Sequence, residues 1–243
     1  MYTKQQFAKM IDNSLLSPIS TKDQVLVLCE ESAKRHFAAV CVLPCWVGTA
    51  ARELQGSDVK VASVIGFPFG ATTRLTKVFE IKNAIANGAK EIDAVMNISK
   101  FKSGDHSAVA QDLIEMVEAT RTSGSMDDSR RIQIKIIIET CFLTEAEKDI
   151  ASRLVRDAGA DFVKTSTGTA SGGATPEDIR QIRRAIGSSA VGIKASGGIK
   201  TVQIALQMLD AGANRIGTSS GVALYDAYEP DEISEKRAAA AAL

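Results

Sequence analysis

The stretch Asp157-Ala-Gly-Ala-Asp-Phe-Val-Lys-Thr-Ser-Thr-Gly168 carries the seam of a repeating structural unit. A helix runs into Asp157, Gly159 stops it, and a short apolar strand leads to Lys164 and a polar loop. A glycine at a helix C-terminus takes up the left-handed backbone, and small neighbours let helix and strand close together. The same joint recurs as Asn87-Gly-Ala-Lys-Glu-Ile and Asp210-Ala-Gly-Ala-Asn-Arg. Working outward, apolar runs predict strands at Ala39–Leu43, Val59–Ile65, Glu91–Ile98, Ile132–Glu139, Asp161–Thr165, Val191–Ala195 and Arg215–Gly217, with a weaker first strand at Ile11–Leu15. Amphipathic stretches between them predict helices at Thr21–Arg35, Thr73–Asn87, Ser107–Arg121, Thr144–Asp157, Pro176–Ile186 and Thr201–Asp210. Thr144 with Glu147 reads as a capping box, and Thr175-Pro176 as an N-cap followed by proline at the first helical position.

Strand and helix alternate with no break in composition, which implies a parallel sheet. Eight units in 243 residues suit a single-domain (β/α)8 TIM barrel over residues 1–243, with a short N-terminal helix and a flexible C-terminal tail over about 230–243. The alternative, an open doubly wound sheet, needs a glycine-rich phosphate turn after its first strand, and none is present.

Lys+Arg and Asp+Glu each number 29, so the formal net charge is zero. This argues against nucleic-acid or membrane partners reached by bulk electrostatics, though a local basic pocket for phosphate remains compatible. No apolar run has the roughly 18 residues of a membrane helix. The N-terminus lacks a signal-peptide core, and the expected location is the cytoplasm. Cys29, Cys41, Cys45 and Cys141 are scattered and read as free thiols. Neither His36 nor His106 has a ligand partner at metal spacing, so no metal is expected.

In a TIM barrel the chemistry sits at the C-terminal strand ends. Two such ends carry lysines: Lys164, and Lys194 in Val191-Gly-Ile-Lys-Ala-Ser-Gly-Gly198. A lysine at an apolar strand end loses solvation, and a second ammonium nearby lowers its pKa further, which turns an amine into a nucleophile. At about 5 Å and an effective dielectric of about 20, two ammonium groups repel by roughly 3 kcal/mol, or roughly 2 pKa units. The competing reading is that both lysines snorkel to solvent. Asp93 on the fourth strand could compensate Lys194 or relay protons, or serve as a structural ion pair. Lys135 and Glu139 share one face of the fifth strand, where a structural role competes with a catalytic one.

Three loops are suited to a phosphate: Gly172-Gly173 after strand six, Gly197-Gly198 after strand seven, and Ser219-Ser220 after strand eight. Their glycines let backbone N–H groups approach an anion, and their hydroxyls add donors. Cys41, at the end of strand two, is a possible pocket residue, although a small buried hydrophobe is its commoner role.

Several ordered blocks resemble the deoxyribose-phosphate aldolase family of class I aldolases. They are Val64-Ile-Gly-Phe-Pro-Phe-Gly-Ala-Thr-Thr, Lys77-Val-Phe-Glu, Asn87-Gly-Ala-Lys-Glu-Ile-Asp, Lys135-Ile-Ile-Ile-Glu-Thr-Cys, Phe162-Val-Lys-Thr-Ser-Thr-Gly, Gly192-Ile-Lys-Ala-Ser-Gly-Gly-Ile and Arg215-Ile-Gly-Thr-Ser-Ser-Gly. They span most of residues 10–222. The resemblance implies a Schiff base on Lys164, perturbed by Lys194, with Asp93 in proton transfer and the three loops on phosphate. It also implies a small phosphorylated deoxy-sugar substrate, no cofactor, and a cytoplasmic homodimer. The rival readings are a sugar-phosphate isomerase type of barrel enzyme and a non-catalytic phospho-sugar-binding barrel. Three places depart from the family pattern. Asn13-Ser14 stands where His-Thr is usual, with Ser14 a possible pocket residue. Thr169 stands where Phe is common. The C-terminus is alanine-rich and lacks the terminal Tyr of some members.

Overall fold

The computed structural model describes residues 2–123 and 131–230. Eight strands, β1 (Ile11–Leu15), β2 (Ala39–Val42), β3 (Lys60–Ile65), β4 (Glu91–Val95), β5 (Gln133–Ile137), β6 (Phe162–Lys164), β7 (Gly192–Ser196) and β8 (Arg215–Thr218), pair in parallel. They close in sequence order, β8 returning to β1, so the expected barrel is present. The helices around it are α1 (Lys4–Ala8), α2 (Lys22–Lys34), α3 (Val47–Glu53), α4 (Arg74–Ala86), α5 (Ile98–Lys102), α6 (His106–Ser123), α7 (Glu145–Asp157), α8 (Pro176–Ile186), α9 (Val202–Asp210) and α10 (Gly221–Ala227). The tail expected beyond about residue 230 lies outside the described residues. Among those described, no helix is long and apolar enough to cross a membrane.

Local chemistry accounts for the boundaries. Thr144 and Glu147 form the reciprocal capping box that starts α7, and Thr175 accepts from the Asp178 N–H to start α8. Gly88, Gly159 and Gly212 all take positive φ, as the repeated joint requires. The strand expected to reach Ile98 stops at Val95, because the Asn97 side chain caps α5 by accepting from the Lys100 N–H at 3.0 Å. The strand expected to reach Glu139 stops at Ile137; Glu139 itself is left-handed, with φ 53°. Helices α3 and α10 had no sequence signal beyond the need to complete a unit.

Two apolar clusters result. The large one fills the space between strands and helices, with Ile134, Ile136, Val163, Ile193 and Ile216 pointing outward from the barrel. The small one lies inside and comprises Ala39, Cys41, Ala62 and Val64 on β2 and β3. Elsewhere the interior is charged: Asp12, Glu91, Asp93, Lys135, Lys164, Lys194 and Arg215 are all buried. Filling the centre with branched aliphatics is the usual solution for this fold. A charged interior costs desolvation and persists only if fully paired or put to work.

Candidate active site

Register brings the charges together. Asp93 on β4 pairs with Lys135 on β5, Lys164 on β6 with Lys194 on β7, and Lys194 with Arg215 on β8. Side chains alternate along a strand, so these residues all turn inward. Asp93 is the hub. Its Oδ2 accepts from Lys164 Nζ and Lys194 Nζ, each at 2.7 Å, and its Oδ1 from Lys135 Nζ at 2.9 Å. The two strand-end lysine nitrogens are therefore no farther apart than twice 2.7 Å. Asp12 accepts from Lys194 and, at 2.6 Å, from Arg215. Glu91 accepts from Lys135 and from Arg215.

Burial alone would raise both aspartates, but the surrounding cations win. Lys135, Lys164 and Lys194 hold the Asp93 carboxyl well below its ordinary range. Arg215, Lys194 and Lys135 do the same for Asp12. Burial would lower Lys194, yet the Asp12 and Asp93 charges hold it above the ordinary lysine range, and Lys135 is raised for a similar reason. The simple expectation of two repelling ammonium groups is thus incomplete, because a carboxylate bridges them and Lys194 is a firmly held cation. What remains is an imbalance. Four cations (Lys135, Lys164, Lys194, Arg215) share three carboxylates (Asp12, Glu91, Asp93) within hydrogen-bond contact. Lys164 is the one ion-paired to a single carboxylate.

Lys164 also lines a cleft of about 420 Å³ at the C-terminal end of the barrel. Ser14, Leu16, Thr167, Thr169, Gly197, Gly198, Lys200, Thr218 and Ser219 complete its wall. Burial first, opposed by bonds from Thr167, raises the Glu139 carboxyl in the adjoining wall. A larger cavity, about 790 Å³, opens at the opposite end beside Arg131, Asp161, Arg183 and Asn214, far from the lysine cluster. Volume does not decide between them; the chemistry lies at the smaller one.

The expected residues fall into three groups. Lys164, Ser14, Gly197, Gly198 and Ser219 line the cleft. Lys194, Asp93, Lys135 and Cys41 lie beneath it, Cys41 donating its thiol to Asp93 at 3.8 Å, with burial and the Asp93 charge pushing the thiol up to about 11. Gly172, Gly173 and Ser220 are not on the cleft wall. A Cβ at Gly172 would stand 2.6 Å from Cys141 Cβ, and one at Gly173 would stand 2.2 Å from the Gly197 carbonyl oxygen. Gly172 lets the loop after β6 close on the segment after β5, and Gly173 lets it touch the loop after β7. Ser220 donates its N–H to Thr218 Oγ1 at 2.9 Å. Asn13 points away from the cleft and donates to Ser32 Oγ on α2 at 3.2 Å. Asp12, Glu91 and Arg215 were missed as site residues. Their signal was a charge inside an apolar run, in phase by two with Asp93 in the case of Glu91. Lys200 and Thr167 were missed because loop residues carry no periodicity, and Thr218 because β8 runs one residue past the Gly217 end expected for it.

Fold and site define a barrel enzyme with a buried amine lining a cleft at the C-terminal strand ends. The sequence model of the DeoC/LacD family aldolase matches residues 7–227. The chain belongs to that family. It is 49% identical over 223 residues to the deoxyribose-phosphate aldolase of a Geobacillus species (strain WCH70), covering 92% of this chain and 96% of the relative. It is 48% identical over 231 residues to that of Thermococcus kodakarensis, covering 94% and 99%. Among solved structures, the tetrameric deoxyribose phosphate aldolase from Aeropyrum pernix superposes with a TM-score of 0.83 at 30% identity, covering 92% of this chain and 91% of that one.

Proposed function

We propose that the protein is a class I aldolase, a carbon–carbon lyase that reversibly cleaves 2-deoxy-D-ribose 5-phosphate to D-glyceraldehyde 3-phosphate and acetaldehyde. One observation carries the Schiff-base assignment: of the four cations clustered inside the barrel, Lys164 alone lines the cleft and is ion-paired to a single carboxylate. The names of the curated relatives support the substrate.

Neutral Lys164 adds to the C1 aldehyde and water departs, leaving an iminium. The C3 hydroxyl loses its proton, the C2–C3 electron pair flows into the iminium, and glyceraldehyde 3-phosphate leaves an enamine. Protonation at C2 and hydrolysis then release acetaldehyde and the free amine. Asp93 and the charged Lys194, both within reach of Lys164 Nζ, are the groups placed to move these protons. Gly197, Gly198, Ser219 and Lys200 at the far wall are suited to the phosphate, whose binding orients the reacting end. In the same reading the enzyme is a cytoplasmic homodimer that needs no metal or organic cofactor. The test is borohydride reduction in the presence of acetaldehyde, followed by peptide mass spectrometry. A stable adduct at Lys164 is expected, and an adduct at Lys194 would reverse the roles.

A further inference from the structure

Glu139 is a buried carboxylate behind the cleft, bonded to the wall residue Thr167, that the mechanism above leaves unused. It holds a left-handed backbone, φ 53° and ψ 69°, that non-glycine residues avoid. Its side chain is buried, and among the described residues it forms no ion pair; its partner is Thr167. The Thr167 N–H faces both carboxylate oxygens at 3.2 Å, and the Thr167 hydroxyl contacts Oε2.

A carboxylate only accepts hydrogen bonds. The Thr167 hydroxyl must therefore spend its proton on Glu139. Its oxygen is left to accept, and two donors stand ready: the Thr169 N–H at 3.1 Å and the Thr169 hydroxyl at 2.8 Å. The polarity of the chain is thereby fixed, with Thr169 donating to Thr167 and Thr167 donating to Glu139. The Thr169 hydroxyl has no proton to spare, so its lone pairs are what it offers to the cleft that both threonines line. An aromatic residue at position 169 could not make this arrangement.

We infer that Glu139 is a positioning residue: acting through Thr167, it orients Thr169 as an acceptor for a hydroxyl on the three-carbon half of the substrate. The inference rests on the aldolase reading and specifies how the cleft distinguishes a hydroxylated aldehyde from acetaldehyde, whose two carbons carry no hydroxyl. An acceptor here would also repel a phosphate oxygen, which keeps the phosphate toward Gly198 and Ser219.

The experiment compares two reactions of the same full-length protein. Deuterium exchange into the methyl group of acetaldehyde in heavy water, followed by NMR, reports imine and enamine formation alone. Cleavage of 2-deoxyribose 5-phosphate requires the hydroxylated half as well. Glu139→Gln and Thr169→Val should each lose about tenfold more kcat/KM in cleavage than in exchange, the worth of one hydrogen bond, mainly through KM. Thr169→Ser should restore cleavage, and the double variant Glu139→Gln/Thr169→Val should be no worse than Thr169→Val. Because Thr169 is exposed on its loop, its variants remain informative even if Glu139→Gln folds poorly. Equal losses in both reactions, or additive losses in the double variant, would overturn the inference. Absence of exchange in the unaltered protein would instead overturn the aldolase reading.

Discussion

Asp93 concentrates the behaviour of the site in one carboxylate. Three ammonium groups converge on it inside the barrel. Replacing it by Asn leaves buried cations uncompensated, a change that costs about 3–5 kcal/mol. For a domain of this size the melting temperature of Asp93→Asn should fall on the order of 10 °C, read by calorimetry. On the proposed mechanism, in which Asp93 moves protons, borohydride trapping at Lys164 should fall with it. Lys164→Arg should keep the cluster charged but abolish trapping and cleavage, since a guanidinium stays protonated. At the phosphate end, Ser219→Asp puts a like charge on the cleft wall. It should reduce kcat/KM for deoxyribose 5-phosphate at least about tenfold more than for unphosphorylated deoxyribose, the scale of one charge-assisted contact. Equal losses on both sugars would move the phosphate elsewhere.

Elements are where the sequence was easiest to read. The start of α8 follows from Thr175-Pro176, and the ends of α4, α7 and α9 from the Gly-Ala joints. Thr175→Ala removes the bond to the Asp178 N–H and should cost about 1 kcal/mol in denaturant unfolding, with no change at the lysines. Lys164, Lys194 and Asp93 stood out because a charge within or at the end of an apolar strand is physically anomalous. Asp12 and Arg215 were not, because a charge at the first or second position of a strand looks like a solvated edge until the closed barrel places it inside. The glycines after β6 were legible as special but not as to purpose. Gly173 serves the approach of two backbones, so Gly173→Ala should push the β6 and β7 loops apart and raise KM for the phosphorylated sugar. The departure at Asn13 could be resolved only by geometry, since one step along β1 decides whether a side chain faces the cleft or α2.

On the scale of the whole molecule, the buried cluster sets the pH range of stability. Asp12 and Asp93 are depressed from the ordinary 3.8. The unfolded chain therefore binds protons first as pH falls, so their contribution is present above about pH 4 and is lost as pH drops through the folded values. Lys135 and Lys194 are raised from the ordinary 10.5, so their contribution is present below that value and is lost as pH rises through the folded values. Denaturant unfolding should show a plateau between these limits, with an acid limb that becomes shallower in Asp93→Asn. An unchanged acid limb in that variant would mean the cluster does not govern acid unfolding.

The convergence of three ammonium groups on Asp93 has a kinetic corollary. On the Schiff-base reading, the iminium on Lys164 carries a positive charge, whereas the enamine carries none. Breaking the carbon–carbon bond neutralises this nitrogen while the C3 hydroxyl proton passes to a neighbouring base, and the cations around Asp93 favour the flow of electrons toward the nitrogen. Lys194→Met removes one of these cations and leaves the nucleophile itself in place. In such a variant the iminium should accumulate relative to the enamine, so that borohydride captures a larger fraction of the bound intermediate while turnover slows.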